Sequence, residues 1–200
     1  MKKVLLLGGY GQIGKEIFNK IKDNHDVHLT SKKDLCFGRK DDYNNLKKLI
    51  VEKKPDLIIN CIGVFFENET EFESIINVNY RPTWYVIKIL KEMSKNVKIN
   101  YSVIGSTSYK EGKKNYFLYS SSKSALVNMI EGAQKFFEGS NVSLNVINLP
   151  PVESLMNKKA VNLEVNRTLM SLDHAAEFIL EKSLYNFVSG VLDYNRECKN

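Results

Sequence analysis

Four glycines within seven positions, set between an unbroken apolar run and an amphipathic stretch, constrain this chain more than any other feature. Val4-Leu5-Leu6-Leu7 has the character of a strand buried on both faces. Gly8, Gly9, Gly11 and Gly14 follow at once, and then Ile13, Ile17 and Ile21 recur at four-residue intervals among Lys15, Glu16, Asn19 and Lys20, which is helix periodicity. A strand, a glycine turn and a helix in that order form the context of a phosphate-binding turn: glycine at the bend, glycine where backbone meets an anion, and glycine where helix packs on strand. The helix start adds free N–H groups and the positive end of a dipole. Gly8, Gly11, Gln12, Ile13 and Gly14 are therefore candidates for holding a dinucleotide, against the plainer alternative of a tight strand-to-helix turn.

The next strand is expected over Asp26 to Thr30. Just past it, a carboxylate would suit the 2′-hydroxyl of an adenosine ribose and a cation a 2′-phosphate. The chain offers Ser31, Lys32 and Lys33 before Asp34, which favours NADP over NAD, unless the lysines are only a solvated turn. A helix over 43–53 is closed by Pro55, and Asp56 to Gly63 then reads as a buried central strand whose end would face the same crevice. Asn60 and Gly63 are candidates for lining it, while Cys61 reads as a packed thiol. From Glu73 to Met93 the pattern is helical, with Pro82 bending the helix or lying near its start. Asn79 is a polar residue in apolar surroundings and must find partners. Val97 to Gly105 supplies another strand, leading into Ser106.

Tyr119 and Lys123 stand four apart at the start of the following helical segment, so their Cβ atoms lie about 5–6 Å apart on one face. A fixed cation beside a phenol favours the phenolate, and the spacing predicts a Tyr119 pKa below the ordinary ~10. Such a phenol is a usable acid or base, and Ser106 could steady a substrate oxygen against it, which suits hydride transfer to a carbonyl. Tyr and Lys at this spacing also occur by chance, so the pair gains weight from its company.

Taken together, these residues resemble the short-chain dehydrogenase/reductase family over nearly the whole length. The matching positions are Gly8, Gly11 and Gly14, then Asn60 and Gly63, then Asn79, Ser106, Tyr119 and Lys123. Alternating strands and helices also point to an α/β chain, a Rossmann-like doubly wound parallel sheet with helices on both faces in a single domain over 1–200. The resemblance implies that Tyr119 gives or takes the substrate proton and Ser106 holds the substrate oxygen. It also implies that Lys123 binds the nicotinamide ribose and biases the phenol, with Asn79 holding a water that links Lys123 to solvent. Pro150-Pro151-Val152-Glu153-Ser154 resembles the family's turn after its sixth strand, with proline in place of glycine, so Pro150 and Val152 are expected at the cofactor. The spacing of Gly8, Gly11 and Gly14 is that of the family's extended branches, which keeps a nucleotide-sugar epimerase or dehydratase open beside an NAD(P)-dependent carbonyl or alcohol oxidoreductase. A non-catalytic NADP-binding redox sensor is a third reading.

Composition narrows the partners. The chain has 200 residues, 43% hydrophobic and 26% charged, with a formal net charge of +6. Its 29 Lys and Arg are spread rather than blocked and no nucleic-acid motif is present, so a nucleic-acid partner is not expected. Cys36, Cys61 and Cys198 make neither a disulfide framework nor a zinc site, which together with the absence of a membrane-length apolar run suggests a cytoplasmic setting without a metal. Two loops should flank the substrate mouth and carry Lys110, Lys113, Lys114, Lys158, Lys159 and Arg167, a set that could focus a positive field on an anionic small molecule. Leu126, Ile130, Ala133 and Phe137 form an apolar stripe suited to core or to a homodimer or homotetramer contact.

Overall fold

A computed structural model describes residues 1–39, 41–65, 72–93, 97–156 and 169–195. Six strands form one sheet: β1 (Lys3–Leu7), β2 (Asp26–Leu29), β3 (Leu57–Asn60), β4 (Ile99–Ser106), β5 (Val142–Leu149) and β6 (Gly190–Asp193). All pair in parallel in the order β2-β1-β3-β4-β5-β6. Val142–Leu149, expected as the family's sixth strand, is the fifth here. Alternate residues of β1 serve opposite cores. Leu5 and Leu7 pack with residues of α2 (Asp42–Lys53), α4 (Arg81–Met93) and α5 (Phe117–Phe137), while Val4 and Leu6 pack with residues of α1 (Gln12–Ile21) and α6 (Leu172–Leu180). The unbroken apolar run of β1 thus reflects cover on both faces.

Strand order reverses between β1 and β3, and their carboxyl ends open a crevice at that point. β3 stops at Asn60, short of the expected Gly63, because the Asn60 Oδ1 accepts the N–H of Ile62 at 3.0 Å and turns the chain out of the sheet. Before Pro82 a short helix α3 (Phe72–Ile75) passes through a π-helical turn over Ile76–Tyr80 into α4. The Arg81 N–H donates to Ile76 O, five residues back. The wider turn seats a proline, which has no N–H to give, at the second position of α4 without a break.

Candidate active site

The glycine turn is shaped by its own backbone, with the Thr30 hydroxyl accepting the Gly8 N–H at 3.3 Å. Gly8 has φ +72°, and its carbonyl accepts the Gly11 N–H at 2.9 Å. A Cβ on Gly14 would lie 2.6 Å from that same carbonyl and 2.7 Å from Gly9 Cα, so helix α1 reaches this close only with glycine there. Gly11 caps α1 without a side-chain hydrogen bond, and no acid occupies the first turn. The N-terminal N–H groups of α1 therefore meet the crevice with no competing carboxylate among the described lining residues, which fits the pyrophosphate of a dinucleotide.

That turn forms one wall of a cavity of about 310 Å³. Gly11, Gln12, Ile13 and Gly14 line it together with Gly63, Ser106, Tyr119, Lys123, Pro150 and Val152. The structure therefore brings most of the expected residues to one place. Tyr119 sits in the first turn of α5 and its phenol is hydrogen-bonded to the Ser106 hydroxyl at the end of β4. Phe65 and Tyr116 flank the phenol, with ring centroids 5.2 and 6.3 Å from that of Tyr119. Burial pushes the phenol above its ordinary value, the Ser106 bond opposes the rise, and Tyr116 adds to it.

Lys123 is only 4% exposed. Its Nζ donates to Ile104 O at 3.0 Å and lies 5.8 Å from the centre of the Tyr119 ring. Burial lowers the amine to about 8. The expected fall in the Tyr119 pKa is thus replaced by a rise, with burial of the phenol as its largest cause, while the Lys123 amine is turned to a backbone carbonyl.

Other expected residues lie off the cavity wall. Asn60 is buried, donating to the hydroxyls of Tyr101 at 3.0 Å and Thr83 at 3.4 Å, so it ties β3 to β4 and α4. Asn79 Oδ1 accepts the Val64 N–H at 2.8 Å, and its Nδ2 donates to Val64 O at 3.0 Å and to Ser122 Oγ at 3.2 Å. Its side chain therefore clamps the loop after β3, next to Gly63 and Lys123, where a water-holding role was expected. Ser31 donates its N–H and hydroxyl to Asp34 Oδ2 at 2.7 and 2.8 Å, while Lys32 and Lys33 are exposed. These three do not line the cavity.

Of the lysines expected at the mouth, Lys113 reaches the cavity and is ion-paired with Glu111. Lys110 is bound to Asp193 at 2.8 Å, Lys114 is exposed, and Lys158, Lys159 and Arg167 fall outside the described residues. Cys61 lines the cavity half-buried, its thiol pushed up to about 12 by desolvation, so it is not a nucleophile at neutral pH.

Sequence reasoning missed Ser108 and Asn148. Ser108 Oγ lies 2.8 Å from Ser106 Oγ, and its N–H donates to the same oxygen at 3.3 Å. The S-T-S run held a hint of this, as did an asparagine inside the apolar Val146-Ile147-Asn148-Leu149 segment.

A profile described as short chain dehydrogenase matches residues 38–164. The chain is 28% identical over 125 residues to the bifunctional ribulose 5-phosphate reductase/CDP-ribitol pyrophosphorylase of Haemophilus influenzae, covering 60% of this chain and 26% of that protein. It thus spans about a quarter of the length of the curated relative it matches. Among solved structures, ElxO with NADP bound superposes with a TM-score of 0.79 at 22% identity, over 96% of this chain and 97% of that one. A short chain dehydrogenase from Burkholderia cenocepacia in complex with NADP gives 0.81 at 14% identity, over 97% and 88%. The 3-alpha-hydroxysteroid dehydrogenase of a Pseudomonas species complexed with NADH gives 0.81 at 14%, over 96% and 94%. At these identities the likeness concerns the fold.

Proposed function

The chain belongs to the short-chain dehydrogenase family, and from that premise we propose that it is an NAD(P)-dependent oxidoreductase acting on a carbonyl or alcohol. The observation that carries the reading is the phenol of Tyr119, hydrogen-bonded to Ser106 and set beside Lys123, in the same cavity as the α1 N-terminus. The pyrophosphate would lie on Gly11 to Gly14, and Gly63, Lys123, Pro150 and Val152 would border the nicotinamide half. A nicotinamide bound there would supply the hydride in reduction and take it up in oxidation. The Ser106 hydroxyl would hold the substrate oxygen; in reduction the Tyr119 hydroxyl would donate its proton to that oxygen, and in oxidation the Tyr119 phenolate would take the proton back. Lys123 keeps the floor of the site in place through Ile104 and presents a polar group to the ribose. Tyr119→Phe should lower kcat by about 10²- to 10⁴-fold with NADPH affinity retained; an unchanged kcat would end this reading, and so would a wild-type protein that binds dinucleotide but reduces nothing in a panel of ketones, aldehydes and sugar phosphates.

NADP is the preferred cofactor in this proposal. Lys32 and Lys33 stand exposed beyond β2, and the carboxylate that follows them, Asp34, is turned onto Ser31. Replacing both lysines with Ala should raise KM for NADPH well above that for NADH, and equal effects would refute the preference.

The substrate class follows from the wall of the cavity. Among the described lining residues, Lys113 and Lys123 are cationic and none is acidic. An anionic carbonyl compound fits, and the Haemophilus influenzae relative is named for reduction of a sugar phosphate. Lys113→Met should raise KM for ribulose 5-phosphate or a similar ketose phosphate by about tenfold or more, equivalent to about 1.4 kcal/mol, without changing KM for neutral aldehydes. A homodimer or homotetramer in the cytoplasm belongs to the same proposal. Trp84 on α4 and Phe136 on α5 are each about half exposed, and sedimentation of the protein tests the assembly.

A further inference from the structure

We propose that Asn148, anchored by Asp193, is a positioning residue that sets the Ser106 hydroxyl against the Tyr119 phenol. The idea rests on the dehydrogenase reading for its consequence in turnover, but the geometry stands alone. Asn148 is fully buried in β5, opposite Gly105 in the parallel ladder. Its Oδ1 accepts the Ser106 N–H at 3.1 Å, and its Nδ2 donates to Asp193 Oδ1 at 3.0 Å. The other oxygen of Asp193 accepts from Tyr109 OH at 3.2 Å and from Lys110 Nζ at 2.8 Å. Tyr109 and Lys110 belong to the 3-10 turn over Thr107–Lys110 that starts immediately after Ser106. The hydrogen bonds therefore close a ring that leaves β4 at Ser106, crosses β5 and β6, and returns to the turn three and four residues further on.

Two features show that the ring is built around Asn148. A Cβ on Gly105 would fall 1.9 Å from Asn148 Oδ1, so the amide occupies the space a side chain at 105 would take. The second is the seat of the hydroxyl itself: Ser106 Oγ accepts the Ser108 N–H and lies against Ser108 Oγ, so its direction depends on the conformation of the turn that the ring fixes from behind. An asparagine suits the middle position because one end must accept and the other must donate. Leucine in its place offers neither, and aspartate would set two carboxylates side by side.

The test is Asn148→Leu, which keeps the branching at Cγ and the number of heavy atoms and removes both hydrogen bonds, read in two ways. Ultraviolet difference titration against the matched Tyr119→Phe protein isolates the phenol of residue 119 and needs no substrate. The groups facing that phenol are Ser106, Tyr116 and Lys123, with Lys110, Tyr109 and Asp193 behind Ser106, and the substitution removes none of them. If Asn148 holds Ser106 in place, the phenol titrates higher in the Asn148→Leu background, because the Ser106 bond that opposes the upward push of burial is weakened. With NADPH and p-nitrobenzaldehyde, kcat falls by about 10- to 100-fold while NADPH affinity is unchanged. Should Asn148→Leu fail to fold, Asp193→Asn, at a partly exposed carboxylate, must shift the phenol in the same direction. A phenol titration identical to wild type in whichever variant folds overturns the proposal, whatever happens to turnover. A wild-type protein without reductase activity would instead overturn the functional reading and leave the titration to decide this one.

Discussion

Gly14 and Lys123 show at the scale of single residues how far the site depends on close approach and on burial. Alanine at position 14 would drive a methyl into the Gly8 carbonyl and Gly9 Cα, both backbone atoms that cannot step aside cheaply. Gly14→Ala should cost about 1–3 kcal/mol of stability by overpacking, measured by urea unfolding, and should weaken NADPH binding in fluorescence titration. Lys123 carries a linkage prediction. Its amine is pushed from an ordinary 10.5 down to about 8 by burial, so the fold disfavours the charged form. The penalty is fully present below about pH 8, where the folded chain must hold the proton, and disappears as pH rises towards the unfolded value. Measured against Lys123→Met, wild type should therefore gain relative stability as pH rises from about 8 to about 10.5; a difference flat across that window would show that the amine is not desolvated as the geometry implies.

Where whole elements meet, the telling feature is the π-helical turn between α3 and α4. Pro82 gives it a reason in the sequence, and Asn79 gives it a use. From the last turn before the proline, the Asn79 amide closes on both backbone groups of Val64 and holds the loop that leaves β3 beside Lys123. Asn79→Ala strips two hydrogen bonds from a loop that has no strand to support it, leaving polar groups near the cavity unpaired. The expected cost is about 1–3 kcal/mol, with faster amide hydrogen exchange over residues 61–65 and a higher KM for the dinucleotide. Exchange in that loop equal to wild type would separate Asn79 from the site.

Across the whole molecule, the same sheet carries two polar systems with separate duties. One is the ring through Ser106, Asn148 and Asp193 at the carboxyl edge. The other lies deeper, where Tyr101 OH meets Thr83 Oγ1 at 2.8 Å and Asn60 Nδ2 at 3.0 Å, joining β3, β4 and α4. Tyr101→Phe leaves those two partners short of a bond and should cost about 1–3 kcal/mol without altering KM for cofactor or substrate; a changed KM would return Asn60 to the binding wall. The separation also explains what was legible in advance. Periodicity, the glycine cluster and the Tyr119/Lys123 spacing are local patterns, and local patterns were enough to determine the order of elements, the doubly wound sheet and many of the residues that gather at its switch point. Partnership between side chains far apart in the chain was not legible. That Asn60 turns inward to Tyr101, that Asn79 grips Val64, that Lys110 is taken by Asp193 and that Asn148 stands under Gly105 depend on strand register and on which face each side chain meets. The sign of the Tyr119 shift belongs with these, since the spacing of a phenol and an amine predicts a fall, whereas burial, the largest cause of the rise, is a property of the packed chain alone.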